Sequence, residues 1–268
     1  MKREARQQLG VEMVPLNVTF NNMSHKDGKE GIRRKLFYRQ LRAGTINPVT
    51  SQPSPAEFLK IFNRCKQEGS HVIYIGISSR SSGTLQAAQI AKNMCDYDRI
   101  HIVDSYQLSH GLEVLVRTAG TLRDKGETAA AIVAHLTDII PKVKFLSVVD
   151  NLKYLVHGGR VQKGTALEEG RFSMKHIVAM VEGRFTPVAK ARGRVAAFEK
   201  MYDMMNKDNV DDNHPIILTH ADNREDMLLF EDFLRIKGFK QPFTYSEIGS
   251  VIGAHMGPGT VGIAYIAK

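Results

Sequence analysis

The sequence has no tryptophan, few cysteines and no long apolar run. Its two cysteines, Cys65 and Cys95, are too far apart for a Cys-x-x-Cys site and argue against a disulfide framework, which suits a reducing compartment. No apolar run approaches the roughly 18 residues that a membrane span requires, and the first residues lack the apolar segment of a secretory signal peptide. These absences predict a soluble, cytoplasmic protein.

The charged residues are balanced toward the basic side. Lys and Arg number 37 against 28 Asp and Glu, a formal net charge of +9, in a chain whose 43% apolar content is ordinary for a globular protein. Such a surface attracts anionic partners, although a well-solvated surface explains the charge equally well. Because the basic residues are not interleaved with aromatic ones, we expect no nucleic-acid partner. The excess positive charge also predicts transient docking on anionic membranes.

Short apolar stretches alternate with helical patterns in the first half of the chain. The predicted strands are Val11–Phe20, His71–Ile77, Ile100–Val103 and Lys144–Val149. The predicted helices are Ser54–Lys66, Gly83–Cys95, Leu112–Leu122 and Thr128–Ile140. This alternation predicts a parallel sheet built from βαβ units, in which ligands bind beyond the carboxyl ends of the strands.

The second half has a different pattern. Two apolar stretches, Ile177–Val181 and Phe185–Val188, flank Glu182-Gly183-Arg184 and are typical of a β-hairpin. Further strands are predicted at Pro215–Thr219, Phe243–Ile248 and Val261–Ile266. We therefore expect an α/β protein of two domains. A parallel-sheet domain would cover residues 1–150, and an α+β domain with a mainly antiparallel sheet would cover residues 151–268.

The strongest local motif runs from Ser78 to Thr84, where a serine-rich loop joins a predicted buried strand to a helix. Backbone N–H groups at a helix N-terminus, with hydroxyl donors beside them, make an anion site, and Gly83 allows close approach of a ligand. The other interpretation is a serine-rich turn that only caps the helix. An alternative function is an enzyme that acts here on a small phosphorylated or carboxylated metabolite, with Asp104 or His255 as acid or base.

Several catalytic and cofactor motifs are missing. Residues Gly257 to Gly262 match G-x-G-x-x-G in form, but the following residues are strand-like, which excludes the dinucleotide fingerprint. The sequence has no G-x-x-x-x-G-K-[ST] segment, no H-E-x-x-H segment and no Cys/His cluster with metal-ligand spacing. We expect no catalytic residue, no metal ion and no cofactor.

An ordered set of short motifs covers nearly the whole chain and resembles the DegV family, whose members bind fatty acids. The matching segments are Val14-Pro15-Leu16, Thr50-Ser51-Gln52-Pro53-Ser54, Ile75-Gly76-Ile77-Ser78-Ser79, Ser82-Gly83-Thr84, Val103-Asp104-Ser105, Leu152 to Arg160, and His255 to Gly259. The resemblance implies two α/β domains with a lipid site at their interface, and a carrier that binds a long-chain fatty acid without catalysis. Relatives open with one further strand, so we expect the parallel sheet to lack the family's first strand.

The resemblance also implies roles for individual residues. The residues that would contact the fatty acid carboxylate are Thr50, Ser82 and His255. The residues that would support the same loop are Ser79, Gly83 and Thr84. Some relatives are the acyl-binding subunit of a bacterial fatty acid kinase, and by that resemblance Arg160 and Arg192 would contact the kinase or its phosphate. The bound fatty acid would be the ligand, with no further cofactor.

Overall fold

The computed structural model describes residues 1, 3–28, 34–162 and 174–268 as an α/β protein. The helices of this part of the chain are α1 (Arg3–Gln8), α2 (Arg34–Ala43), α3 (Pro55–Gln67), α4 (Thr84–Cys95), α5 (Ser109–Asp124), α6 (Ala129–Ile139), α7 (Lys153–His157), α8 (Arg194–Asp208), α9 (Arg224–Ile236) and α10 (Ser250–Met256). Its strands are β1 (Asn17–Phe20), β2 (Met23–Lys26), β3 (Val49–Ser51), β4 (Val72–Gly76), β5 (Ile100–Asp104), β6 (Val143–Val149), β7 (Met174–Val181), β8 (Arg184–Arg192), β9 (Ile216–His220), β10 (Phe243–Glu247) and β11 (Val261–Ile266). None of these helices combines the length and the apolar character that crossing a membrane requires.

The first half is built around a parallel pair of strands, β4 and β5, in which Val72 lies opposite Ile100. Helices α3 and α4 pack against each other beside this pair. The start of α3 follows from its local sequence, because Pro55 occupies the first turn and the backbone N–H of Ser54 donates to Glu57 at 3.0 Å. The sequence predictions for α3, α4, β4 and β5 are therefore confirmed, with small differences at their ends.

Strand β6 does not join the parallel pair. Lys144–Val149 was expected as a third strand of the parallel sheet, and that prediction is wrong, because β6 pairs antiparallel with β11 on one side and with β7 on the other. Nearly all of β6 is buried, and burial on both faces is compatible with any central strand. The neighbours of β6 are decided by long-range contacts, and the residues of β11 that pair with it lie more than a hundred positions away in the sequence. The division of the chain at residue 150 stays a prediction.

The second sheet has six strands in the order β10-β9-β11-β6-β7-β8. Strands β9 and β10 run parallel, and the other neighbouring pairs run antiparallel, which confirms the mainly antiparallel sheet expected from the sequence. The predicted hairpin is β7 and β8, whose turn residues Glu182 and Gly183 have φ angles of 47° and 76°. Helices α8 and α9 cover one face of this sheet, and α5 packs on the other.

Three features near the cavity described below were not predicted from the sequence. The expected strand over Val11–Phe20 is formed only in its last four residues, which pair with β2 across a turn at Asn21 and Asn22. Both asparagines have positive φ angles, 49° and 60°, as a two-residue hairpin turn requires. Helix α2 and helix α10 were also missed. Helix α10 is a seven-residue segment with a glycine inside it, Gly253, and glycine disfavours the helix.

Long-range contacts hold α10 in place. The carboxylate of Asp27 accepts hydrogen bonds from the first two backbone N–H groups of the helix, those of Ser250 at 2.9 Å and Val251 at 3.1 Å. The hydroxyl of Tyr38 donates to the carbonyl of Ile248 at 2.8 Å, and burial raises the pKa of Tyr38, so the hydroxyl keeps its proton. These contacts fix a helix whose own sequence has a low helix propensity.

We expect Gly253→Ala to lower the free energy of unfolding by about 1–3 kcal/mol, as overpacked core positions do. A Cβ at residue 253 would lie 2.2 Å from the hydroxyl oxygen of Tyr38 and 2.7 Å from its ring. In an unhindered helix the same substitution is favourable by about 1 kcal/mol. Urea denaturation followed by circular dichroism measures the change.

Gly120→Ala is the matched control, because Gly120 lies inside α5 and a Cβ there would meet only the flexible side chain of Leu9, at 3.1 Å. We expect Gly253→Ala to cost less stability in a Tyr38→Phe background than in the wild-type background, since the nearest clashing atom is absent there. Equal stabilities of Gly253→Ala and Gly120→Ala would contradict the packing of α10 on Tyr38.

Candidate functional site

A cavity of about 250 Å³ lies where the first-half loops meet α10 and the second sheet. Among the described residues, those that give it polar groups are Thr50, Ser51, Gln52, Ser81, Ser82, Gly83, Arg160 and His255. Those that give it apolar walls are Leu16, Ile77, Leu108, Phe185, Val251 and Ile252. The cavity is therefore amphipathic, which is the lining that a ligand with a polar head and an apolar body requires.

Thr50 and His255 meet in this cavity although they are far apart in the sequence. Thr50 is the central residue of β3, His255 lies near the end of α10, and Oγ1 of Thr50 is 2.9 Å from Nε2 of His255. The imidazole is seated against Gly158, where a Cβ would lie 2.1 Å from Nδ1 of His255. Gly158 has an ordinary φ of −73°, so the absence of a side chain there serves packing against the imidazole and not backbone conformation.

His255 is held in its neutral form. Burial, together with smaller effects of the positive charge of Arg160 and of the nearby His157, lowers the pKa of its imidazole to about 4. At neutral pH the ring therefore has one proton, and Nδ1 is buried without a hydrogen-bond partner in the described part of the chain. If the proton is on Nε2, the imidazole donates to Thr50 and leaves the threonine hydroxyl free to donate to a ligand.

Ser82 and Thr84 lie at the start of α4, and Ser82 lines the same cavity. Their hydroxyl oxygens are 2.8 Å apart, and the backbone N–H of Thr84 donates to the hydroxyl of Ser82 at 3.3 Å. Gly83 packs so closely on Gln52 that a Cβ would lie 2.1 Å from the side-chain oxygen of Gln52. Ser82 and Gly83 line the cavity as expected, whereas Thr84 is buried behind them and contacts Ser82.

The other serines of this loop have a different role from the one expected. The hydroxyls of Ser78 and Ser81 both donate to the carbonyl of Gly183, each at 2.7 Å, and thereby tie the β7–β8 turn to the loop. Ser79 is exposed, lies outside the cavity lining, and donates its backbone N–H to Asp104 at 3.3 Å. The expected support of the site by Ser79 is therefore indirect, through its backbone.

Arg160 is the charged residue among the described lining residues of the cavity. Its guanidinium donates to the carbonyls of Gly158 at 2.6 Å and Ser81 at 3.4 Å, and no carboxylate among the described residues forms an ion pair with it. Burial lowers the pKa of this guanidinium, which remains protonated because arginine has a very high intrinsic pKa. Arg192, the last residue of β8, is exposed and does not line the cavity. Of the two predicted arginines, the structure thus places only Arg160 beside the other predicted site residues.

Asp104 does not line the cavity either. Its Oδ1 accepts hydrogen bonds from the backbone N–H groups of Ser79 at 3.3 Å and Tyr106 at 3.1 Å. A carboxylate used in this way holds two loops together, so the structure gives no support to Asp104 as the acid or base of an enzyme. In the part of the chain that the structure describes, no group of three His, Cys, Asp or Glu side chains is arranged to hold a metal ion.

The apolar walls were the part of the site that sequence reasoning missed. Phe185 comes from β8, Leu108 precedes α5, and Ile252 belongs to a helix that was not predicted. Each is an ordinary apolar residue in its local sequence, and no local signal distinguishes a cavity wall from a filled core. The close approach of Gly158 to His255 was likewise hidden, because Gly158-Gly159 is also typical of a helix end.

His255 makes the stability of the folded protein depend on pH in mild acid. The pKa of His255 is about 4 in the folded state, against 6.5 in a model peptide. As the pH falls, the unfolded chain therefore binds the proton first. The contribution of neutral His255 is complete above about pH 6.5 and is lost toward about pH 4, by up to about 3 kcal/mol. We expect His255→Gln, which cannot titrate, to lose less stability over this interval.

Urea denaturation of both proteins at about pH 7.5 and about pH 4.5 tests this expectation. Other buried groups, including His110 with a pKa lowered by burial to about 3, are present in both proteins and cancel in the comparison. Equal losses of stability in the two proteins would show that His255 is not held neutral by its surroundings.

Comparison with known proteins gives a consistent assignment. The family model described as "Uncharacterised protein, DegV family" matches residues 1–268. A DegV domain-containing protein from Caldanaerobacter subterraneus subsp. tengcongensis is 32% identical over 260 residues, which are 97% of this chain and 92% of the relative. A fatty acid-binding protein from Thermotoga maritima is 28% identical over 257 residues, 94% of this chain and 89% of the relative.

Solved structures agree with this assignment. A fatty acid-binding DegV family protein from Thermus thermophilus has a TM-score of 0.90 at 26% identity, covering 100% of this chain and 96% of that chain. The Fatty Acid Kinase (Fak) B3 protein of Streptococcus pneumoniae, loaded with linoleic acid, has a TM-score of 0.84 over 95% of this chain and 90% of its own, but its 21% identity shows a common fold alone. The resemblance seen in the sequence is confirmed, and the protein belongs to the DegV family.

Proposed function

We propose that the protein binds a fatty acid without forming a covalent bond, with the acyl chain against the apolar walls. The carboxylate lies at the residues expected from the sequence, Thr50, Ser82 and His255. To these the proposal adds Arg160, which lines the same cavity. The observation that carries this proposal is Arg160, a half-buried cation with no carboxylate partner among the described residues, at the polar side of an amphipathic cavity. A monoanion with an apolar tail would place a negative charge beside Arg160 and fill the apolar side.

The energetics of the site favour such a ligand. Each methylene group that leaves water contributes roughly 0.8 kcal/mol, so a long acyl chain offers on the order of 10 kcal/mol before the cost of ordering it. A carboxylate that loses its water must find hydrogen-bond donors and positive charge. The hydroxyls of Thr50 and Ser82 and the guanidinium of Arg160 are the donors at hand, and neutral His255 contributes by donating to Thr50.

The relatives support the same ligand class. The Thermus thermophilus structure, at 26% identity and a TM-score of 0.90, is described by its fatty acid binding. The Thermotoga maritima relative is likewise named a fatty acid-binding protein. The similarity to the Thermus thermophilus structure extends over 100% of this chain, so the residues of the cavity are included.

The finer features of the function are part of the proposal. We propose a cytoplasmic carrier of long-chain fatty acids that is not itself an enzyme and that presents the bound carboxylate to a separate fatty acid kinase. Arg160 at the cavity and the exposed Arg192 are the residues proposed to contact that kinase or its phosphate. The net charge of +9 supports transient contact with anionic membranes, where fatty acid is exchanged.

We expect Ser82→Ala to weaken the binding of palmitate by about 10- to 100-fold, the usual effect of losing one hydrogen bond to a charged group. The matched control is Ser79→Ala, which removes the same hydroxyl three residues earlier in the same loop but outside the cavity. Isothermal titration calorimetry gives both dissociation constants. Equal affinities of the two variants, or no uptake of palmitate by the wild-type protein, would contradict the proposal.

We expect Arg160→Gln to weaken the binding of palmitate by at least about tenfold and to leave the binding of its methyl ester nearly unchanged. The reason is that Arg160 contributes through its charge, which the ester does not need. Arg192→Gln removes a similar charge from the end of β8, and we expect it to leave both affinities unchanged. An equal effect of Arg160→Gln on acid and ester would assign Arg160 to packing and remove it from carboxylate binding.

A further inference from the structure

The cavity is small compared with the ligand proposed for it. Its volume of about 250 Å³ lies below the range usual for ligand pockets, roughly 300–1,000 Å³. Movement of one of the apolar walls would give a long acyl chain more room.

Phe185 is the largest of the apolar walls, all of which belong to or pack against one apolar cluster. It is 5% exposed and is the one phenylalanine among the described lining residues. Its ring lies edge-on to Phe145 with 5.9 Å between ring centres, and Phe145 in turn stacks on His110 at 4.0 Å. Phe145 is thereby held between two rings, whereas one side of Phe185 faces the cavity.

The backbone that carries Phe185 is fixed close to the carboxylate side of the cavity. Gly183, two residues earlier, accepts hydrogen bonds at 2.7 Å from both Ser78 and Ser81. Gly183 also packs so tightly that a Cβ would lie 2.4 Å from the hydroxyl of Ser78. With the turn held in this way, strand β8 stays in place, and rotation of the Phe185 side chain is the movement left for enlarging the cavity at this wall.

We infer that Phe185 determines the length of acyl chain that the protein accepts. This inference rests on the proposed function and adds a specificity residue to it. With Phe185 as it stands, the cavity admits a carboxylate with a short acyl chain. A longer chain displaces the ring of Phe185 and extends along Phe145 into the apolar cluster shared by both halves of the protein.

The test compares the affinities for octanoate and palmitate, measured by calorimetry, in the wild-type protein, in Phe185→Ala and in Phe185→Leu. We expect Phe185→Ala to shift the ratio of the two dissociation constants toward palmitate by about tenfold, the gain from roughly two further buried methylene groups. Phe185→Leu should shift the ratio in the same direction by less, and it keeps the test decisive if the alanine variant does not fold.

Phe62→Ala is the matched control, because Phe62 is equally buried, at 2% exposure, but lies in the apolar cluster of α3 and α4 and not in the cavity. We expect it to leave the ratio unchanged. Two outcomes would overturn the role of Phe185 while leaving the proposed function intact. One is an unchanged ratio of dissociation constants in both Phe185 variants, with both acids still bound. The other is an equal shift of this ratio in Phe62→Ala. Failure of the wild-type protein to bind either acid overturns the proposed function, and this inference with it.

Discussion

A carboxylate can enter an apolar cavity only where hydrogen-bond donors and positive charge replace the water that it loses. The arrangement of this protein follows from that constraint. Arg160 supplies charge without a carboxylate partner among the described residues, and Thr50 and Ser82 supply hydroxyl donors from two different segments of the chain. His255 remains neutral, with its pKa lowered to about 4, so it adds a hydrogen bond to Thr50 without a second buried charge beside Arg160.

Two kinds of support keep these donors in position. One is the absence of a side chain where backbone must approach closely, as at Gly158 beside the imidazole of His255. The other is anchoring from distant parts of the chain, as at α10, whose first N–H groups donate to Asp27 and whose interior packs on Tyr38. Both kinds of support act on α10, a short helix with a glycine inside it. The position of the His255 side chain therefore depends on tertiary contacts.

The serine-rich loop has two functions that its sequence does not separate. Ser82 faces the cavity, where a ligand is proposed to bind, whereas Ser78 and Ser81 donate to the carbonyl of Gly183 and join the loop to the β7–β8 hairpin. The same hairpin carries Phe185 into the cavity wall. The serine-rich loop therefore connects the polar end of the cavity with the apolar wall formed by Phe185. The same loop would thus help to position both the head and the tail of a bound amphiphile.

The sequence by itself determined the elements whose signals are local. The capped start of α3, the buried strands β4 and β5, the β7–β8 hairpin and the ordered family motifs all follow from residues within a few positions of one another. Only the tertiary structure decided the neighbours of β6, the existence of α10, and which members of the motifs line the cavity. The physical reason is that contacts between distant residues leave no periodicity in the local sequence. Such contacts decide the pairing of the strands, the packing of His255 against Gly158, and the positions of Ser79 and Arg192 outside the cavity.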